Sequence, residues 1–158
     1  VSRMKRSPAL EPFSRDHNRG LILARALMLG HAQAVRAFEQ AWDQELLDHF
    51  EEEERLLGPL ANPDQADQMR VEHSLIRSLK QGLPESSVQL GETLEAHIRW
   101  EERELFPAIE ASLSDEEAVL LLHSTMEVEV RRWPHDARRQ TLVLRRLSGA
   151  MTESNERT

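Results

Sequence analysis

The sequence predicts an all-α protein, an up-down-up-down four-helix bundle with an additional C-terminal helical segment. Apolar residues recur at spacings of three and four through each long stretch, which is the helical period. Glycine and proline are few, 6 and 7 in 158 residues, and most of them cluster between those stretches. An eleven-residue motif also occurs twice: His49-Phe-Glu-Glu-Glu53-Glu-Arg-Leu-Leu-Gly-Pro59 aligns with His97-Ile-Arg-Trp-Glu101-Glu-Arg-Glu-Leu-Phe-Pro107, matching at His, Glu, Glu, Arg, Leu and Pro. A duplicated helical unit implies a bundle with approximate two-fold symmetry.

The elements follow in order from their start and stop signals. Residues 1–13 read as an N-terminal arm; Arg3, Lys5 and Arg6 have no apolar run behind them, unlike a secretory signal. A first helix starts near Ser14 and stops at Gly30, and a second runs from about Ala32 to Leu57, ended by Gly58-Pro59. Asn62 caps a third, with Pro63 in its first turn and Asp64 behind it, and Gly82 and Pro84 end it. Ser86 or Ser87 caps a fourth, which continues through Phe106 towards Leu113 and completes a bundle over residues 13–113. Ser114-Asp115-Glu116-Glu117 is a capping box that opens a C-terminal extension over 114–147, with Trp133-Pro134 ending its helix. Its apolar stripe, Val119, Leu122, Met126 and Trp133, needs a cover, either the bundle or a second copy in a homodimer. Residues 148–158 read as a flexible tail.

Composition removes several function classes. With no cysteine, a disulfide, thiolate metal site, iron–sulfur cluster or cysteine nucleophile is impossible, and with no tyrosine so is a tyrosinate ligand. A formal charge of -8 argues against nucleic acid as a partner, although Arg131, Arg132, Arg138, Arg139, Arg145 and Arg146 crowd into the C-terminal stretch. The longest apolar run, Leu21 to Leu29, contains Arg25 and is too short to span a bilayer, so a cytoplasmic protein without a membrane partner is expected, as monomer or homodimer.

Histidine and glutamate then carry the chemistry. Residues four apart share one helix face, so His49 points with Glu53 and His97 with Glu101. Both pairs lie in apolar stripes: Phe38, Trp42 and Leu46 lead into His49, Glu53 and Leu56, and Leu90 and Leu94 lead into His97, Glu101 and Leu105. His17 shares a stripe with Leu21, Ala24 and Met28, and His73 with Met69 and Ile76; each follows an acid, Asp16 and Glu72. The residues midway between successive histidines of the set are Gln33, Ala61 and Glu85, all on or beside turn signals, so an antiparallel bundle brings the six side chains to one level. Burying ionised glutamates alone costs several kcal/mol each, about what a bound cation would remove. Four imidazoles and two carboxylates suit iron, manganese or zinc, and two carboxylates from opposite helices suit a dinuclear site; zinc alone would leave two ligands over. His31, His135 and the pair His123 with Glu127 read as surface residues, and of the run Glu51 to Glu54 only Glu53 is assigned to the interior.

This ordered set, His17, His49-x-x-x-Glu53, His73 and His97-x-x-x-Glu101, resembles the hemerythrin-like, or HHE cation-binding, family over roughly residues 13 to 113. The resemblance implies two iron ions bridged by both glutamates, with an oxo or hydroxo bridge. It is similar to the respiratory carriers of that family in helices one, two and four, but where they place a further histidine this chain has Arg77, which cannot ligate. Two histidines per iron leave open positions, implying binding of, or reaction with, oxygen, peroxide or nitric oxide, as sensor, store or weak peroxidase- or catalase-like enzyme. Arg77 is then expected to bond a bound oxygen species, to pair with a bridging glutamate, or to reach solvent. Ferritin-like proteins fit poorly, because no histidine here has glutamate three residues before it. Two other functions remain open: iron donation in the repair of damaged iron centres, and an interaction module merely stabilised by metal.

Overall fold

The structure is a computed structural model that describes residues 5–155, and side chains through Gly149. Among the described residues there are six helices and no strand. Helix α1 is Glu11–Met28, three residues earlier than its sequence signal, with Pro12 in the first turn. Gly30 follows it at φ 69°, a left-handed conformation that glycine adopts without a side-chain clash. Helix α2 spans 34–56 as Ala34–Ala41, a π turn Trp42–Leu46, and Leu47–Leu56. Helix α3 is Pro63–Gln81, and the Asn62 side chain accepts the Gln65 N–H at 2.9 Å as its cap. Helix α4 spans 87–112 as Ser87–Trp100, a π turn Glu101–Leu105, and Phe106–Ser112. Ser86 precedes α4 without capping it by its side chain, because its hydroxyl donates to the Leu79 carbonyl instead.

The two π turns answer a feature of the apolar stripes. Phe38, Trp42, Leu46 and Phe50 step by four, as do His97, Glu101, Leu105 and Ile109, and all are buried. On a regular helix each such step turns about 40° past a full turn, so three steps would carry the stripe off the core. One extra residue per helix restores the alignment: Leu47 N–H bonds the Trp42 carbonyl and Phe106 N–H the Glu101 carbonyl, both five residues back. In α4 the π turn also precedes Pro107, which has no N–H to offer a regular ladder.

Residues 13–112 form one compact unit, and the described residues before Phe13 and after Ser112 form another. In the first, Leu23, Ala24 and Leu27 of α1, Phe38, Ala41, Trp42, Leu46 and Phe50 of α2, Ile76 of α3, and Leu90, Leu94 and Ile98 of α4 share one core. Phe38 is fully buried in that core. Register descends on one helix as it rises on the next. Asp16 meets His49 and Arg19 meets Glu45; Glu54 meets Arg77 and Gly58 lies by Arg70; Glu72 meets His97 and Leu79 meets Ser86. The buried positions of α1 are Pro12, Phe13, Asp16, His17, Gly20, Leu23, Ala24 and Leu27, so Leu21 and Met28 of the expected stripe are only half-buried, and Leu57 is buried where Leu56 is expected.

Helices α1 and α4 pack closely at Gly91, where a Cβ would lie 2.5 Å from the Ala24 carbonyl oxygen and 2.7 Å from Met28 Cγ. A backbone oxygen cannot move alone, so Gly91→Ala must separate the helices. We expect a loss of about 1–3 kcal/mol, read as a lower urea midpoint with unchanged slope; an unchanged midpoint would mean the helices do not meet so tightly.

In the second unit the Ser114 capping box forms as predicted, opening α5, Asp115–Arg132. Helix α6, Ala137–Asn155, continues beyond Ser148, where a tail is expected, and its first N–H groups, of Arg138 and Arg139, bond the Asp136 carboxylate. Helices α5 and α6 pack together. The buried positions of α5 are Leu121, Leu122, Thr125, Met126, Val128 and Glu129, whereas Val119, expected inside, is 36% exposed. No helix among the described residues is long and apolar enough to cross a membrane.

Candidate metal centre

All six predicted ligands meet, and none is more than 3% exposed: His17 from α1, His49 and Glu53 from α2, His73 from α3, His97 and Glu101 from α4. Their inner atoms form two groups of four, His17, His49, Glu53 and Glu101, and Glu53, His73, His97 and Glu101, either of which could hold a metal ion. The two glutamates belong to both groups, and their two oxygens are divided between them. Glu53 Oε1 lies 2.9 Å from His49 Nε2 and 3.3 Å from His17 Nε2, while its Oε2 lies 3.4 Å from His73 Nε2. Glu101 Oε2 lies 3.0 Å from His17 Nε2, while its Oε1 lies 3.3 Å from His97 Nε2.

The outer nitrogens are equally ordered. Each Nδ1 meets a carboxylate: His17 with Glu102 at 2.8 Å, His49 with Asp16 at 3.1 Å, His73 with Glu54 at 2.8 Å, and His97 with Glu72 at 2.6 Å. An Nδ1–H donated outward leaves the Nε2 lone pair directed inward, the tautomer a metal ligand needs. The pattern obeys the duplication. The acid preceding each helix-one or helix-three histidine serves the histidine of the next helix, and the glutamate following Glu53 or Glu101 serves the histidine of the opposite half. The sequence carried a signal for these four, since acid-His and Glu-Glu recur in both halves, but their targets are not sequence neighbours.

Aromatic rings close the layer from the side. Phe50 stacks on His73 with centroids 4.3 Å apart and Phe106 on His17 at 5.3 Å, limiting water near both imidazoles. Without a cation the cluster is electrostatically frustrated. Burial opposes charge on His17, His49, His97 and Glu53, yet close opposite charges prevail there. Glu101, Glu102 and Glu53 hold His17 well above the usual imidazole range, and the Glu53 charge with the Asp16 bond holds His49 at about 9. His97 is raised in the same way by Glu101 and Glu72. Glu53, which burial would raise, is held well below the usual carboxylate range by His49, His17 and His73.

Hydrogen bonding nevertheless remains incomplete. Both oxygens of Glu53, both of Glu101, and Nε2 of His17 and of His49 are buried with no hydrogen-bond partner. Nε2 of His73 and Nε2 of His97, 3.0 Å apart, bond one another through one shared proton, whereas the six other atoms have no such partner. Native interiors rarely leave such atoms unsatisfied. Inward-directed nitrogens and carboxylate oxygens are the donor set that cations between them would complete, so the residues fit a metal centre.

Arg77, expected near the ligands, is placed differently. Its guanidinium donates to Glu54 Oε1 at 3.0 Å and meets neither Glu53 nor Glu101 among its described contacts. The reason is local: Glu54 is only partly buried and lies across from Arg77 on α2, so the arginine reaches a carboxylate while both side chains stay 30% exposed. Glu52 is also interior, 7% exposed, paired with Arg55, so the run Glu51 to Glu54 is less of a surface face than expected. His31, His123, Glu127 and His135 are exposed. No family model matches the chain, and no curated protein or solved structure is significantly similar to it.

Proposed function

We propose that residues 13–112 form an up-down-up-down four-helix bundle of the hemerythrin-like type around a dinuclear non-haem metal centre. Its ions in this reading are two irons, which bind or react with oxygen, peroxide or nitric oxide. The observation that carries it is the division of Glu53 and Glu101: Glu53 presents Oε1 to His17 and His49 and Oε2 towards His73, and Glu101 presents Oε2 to His17 and Oε1 towards His73 and His97. That is the disposition of two bridging carboxylates between two cations. Ligand chemistry supports iron or manganese, since one tetrahedral zinc would use four donors and strand the rest.

When bound, a diiron pair supplies electron transfer to and from small oxygen or nitrogen ligands. The chain's own residues do the remainder. His17, His49, His73 and His97 hold the ions from four helices, their rings fixed by Glu102, Asp16, Glu54 and Glu72. Phe50 and Phe106 exclude bulk water from the histidines they stack upon. Each group of four would hold its ion with two histidines and the two shared glutamates, fewer donors than an octahedral ion accepts, which would leave room for a small exogenous molecule. Burial of all six ligands favours a resident centre over iron held for donation.

Metal content with the optical spectrum tests this directly. After anaerobic iron reconstitution we expect about two irons per chain and new near-ultraviolet and visible charge-transfer bands on exposure to oxygen or peroxide. A folded protein that takes up zinc alone, or nothing, would leave a structural or interaction module.

A further inference from the structure

The outer carboxylates share one task but differ in what else bonds them. Glu54 Oε1 receives His73 Nδ1 at 2.8 Å and, on the same oxygen, Arg77 Nη1 at 3.0 Å. Glu72 divides its partners instead, with Oε2 on His97 and Oε1 accepting from Gln68 Nε2 at 2.9 Å. The residue that the duplication sets against Arg77, four after the first-half histidine as Arg77 is four after His73, is Leu21, which has no donor. At that position the two halves of the repeated design therefore differ. The side chains of Arg77 and Glu54 are each 30% exposed while His73 is fully buried, so the chain Arg77–Glu54–His73 runs from solvent to the cluster.

A carboxylate that accepts an imidazole Nδ1–H raises electron density at Nε2 and strengthens it as a ligand. A guanidinium bonded to the same oxygen draws that density back and weakens the effect. We propose that Arg77 is a positioning residue that acts through Glu54 to lower the donor strength of His73. It thereby weakens and tunes the metal position held by His73 and His97, and leaves the position held by His17 and His49 as it is. The inference rests on the dinuclear reading above. It also gives Arg77 a task that runs through its bond to Glu54.

The two members of the chain should act in opposite directions, which a merely structural ion pair would not do. The test is a titration of metal-free protein with cobalt(II), followed by visible absorption and bound cobalt per chain. Glu54→Gln is expected to weaken one of two cobalt equivalents by roughly 10–100-fold. Arg77→Leu is expected to tighten that same equivalent several-fold, Arg77→Lys to stay near wild type, and the other equivalent to hold in all three. Arg70→Leu removes a cation from the same helix that is bonded to Asp67, and should change neither equivalent. Helical circular dichroism of each metal-free variant checks that it folds. If wild type binds two cobalt ions and Arg77→Leu weakens binding, changes both equivalents alike or changes neither, this inference falls alone. If wild type binds fewer than two, the dinuclear reading falls and takes the inference with it.

Discussion

Glu53→Gln is expected to cost the protein both metals, where loss of a single histidine costs one. Glu53 offers Oε1 to His17 and His49 and Oε2 towards His73, so each half of the centre depends on it. Glutamine keeps one oxygen, turns an amide N–H₂ towards the other half and removes a negative charge that the cations require. His17→Ala, in contrast, removes one donor from one group of four. After iron reconstitution wild type should hold about two irons per chain, His17→Ala about one and Glu53→Gln well under one. The glutamine variant should also be less stable without metal, by about 3–5 kcal/mol, because His17 and His49 lose a buried counter-charge. Metal analysis and urea unfolding of the metal-free variant read both effects, and a Glu53→Gln protein with two tightly bound irons would refute the bridging role.

Removing the metals should leave a protein whose stability falls as pH rises, and restoring them should cancel that fall. His49 is held at about 9 in the metal-free fold against 6.5 as its ordinary value. The folded state therefore binds more protons between those values, and the stabilisation is complete below 6.5 and gone above about 9. His17 and His97 are raised too and act in the same sense. Glu53 has the opposite sign: its pKa is lowered from 4.5, so its contribution is present above 4.5 and lost as acid protonates it in the fold. The metal-free protein should thus be most stable between about pH 4.5 and 6.5, the ordinary values of the two groups. By pH 9.5 it should have lost on the order of 3 kcal/mol from His49 alone. Metals displace the histidine protons, so their affinity should rise over the same interval. Urea midpoints of both forms across it decide the matter; metal-free stability that holds or climbs from pH 6.5 to 9.5 would contradict the charged cluster.

The helices were legible where a local rule suffices. Asn62 with Pro63, and Ser114 with Glu117, mark helix starts because a side chain satisfies orphan N–H groups within three residues. The buried cluster of four histidines and two glutamates was legible because apolar stripes interrupted by His and Glu at matching distances from turns leave few other arrangements. Less local features escaped. The continuation of α6 to Asn155 is not predicted by the sequence although Asp136 lies at its start, because a run of arginines signals charge and says little about where a helix ends. The π turns were implicit in stripes that step by four, yet a stripe does not say whether the helix or the core yields.

Periodicity, caps and the duplicated motif thus sufficed for the helices and for the buried His/Glu cluster, since both depend on spacing along one chain. Which carboxylate holds which histidine required the packed helices. Asp16 bypasses its neighbour His17 for His49, Glu54 bonds His73 across from α2, and Arg77 settles on Glu54 and away from the ligands. Those choices depend on distances between helices and on the desolvation each charge would suffer, and neither quantity is written in the order of the residues.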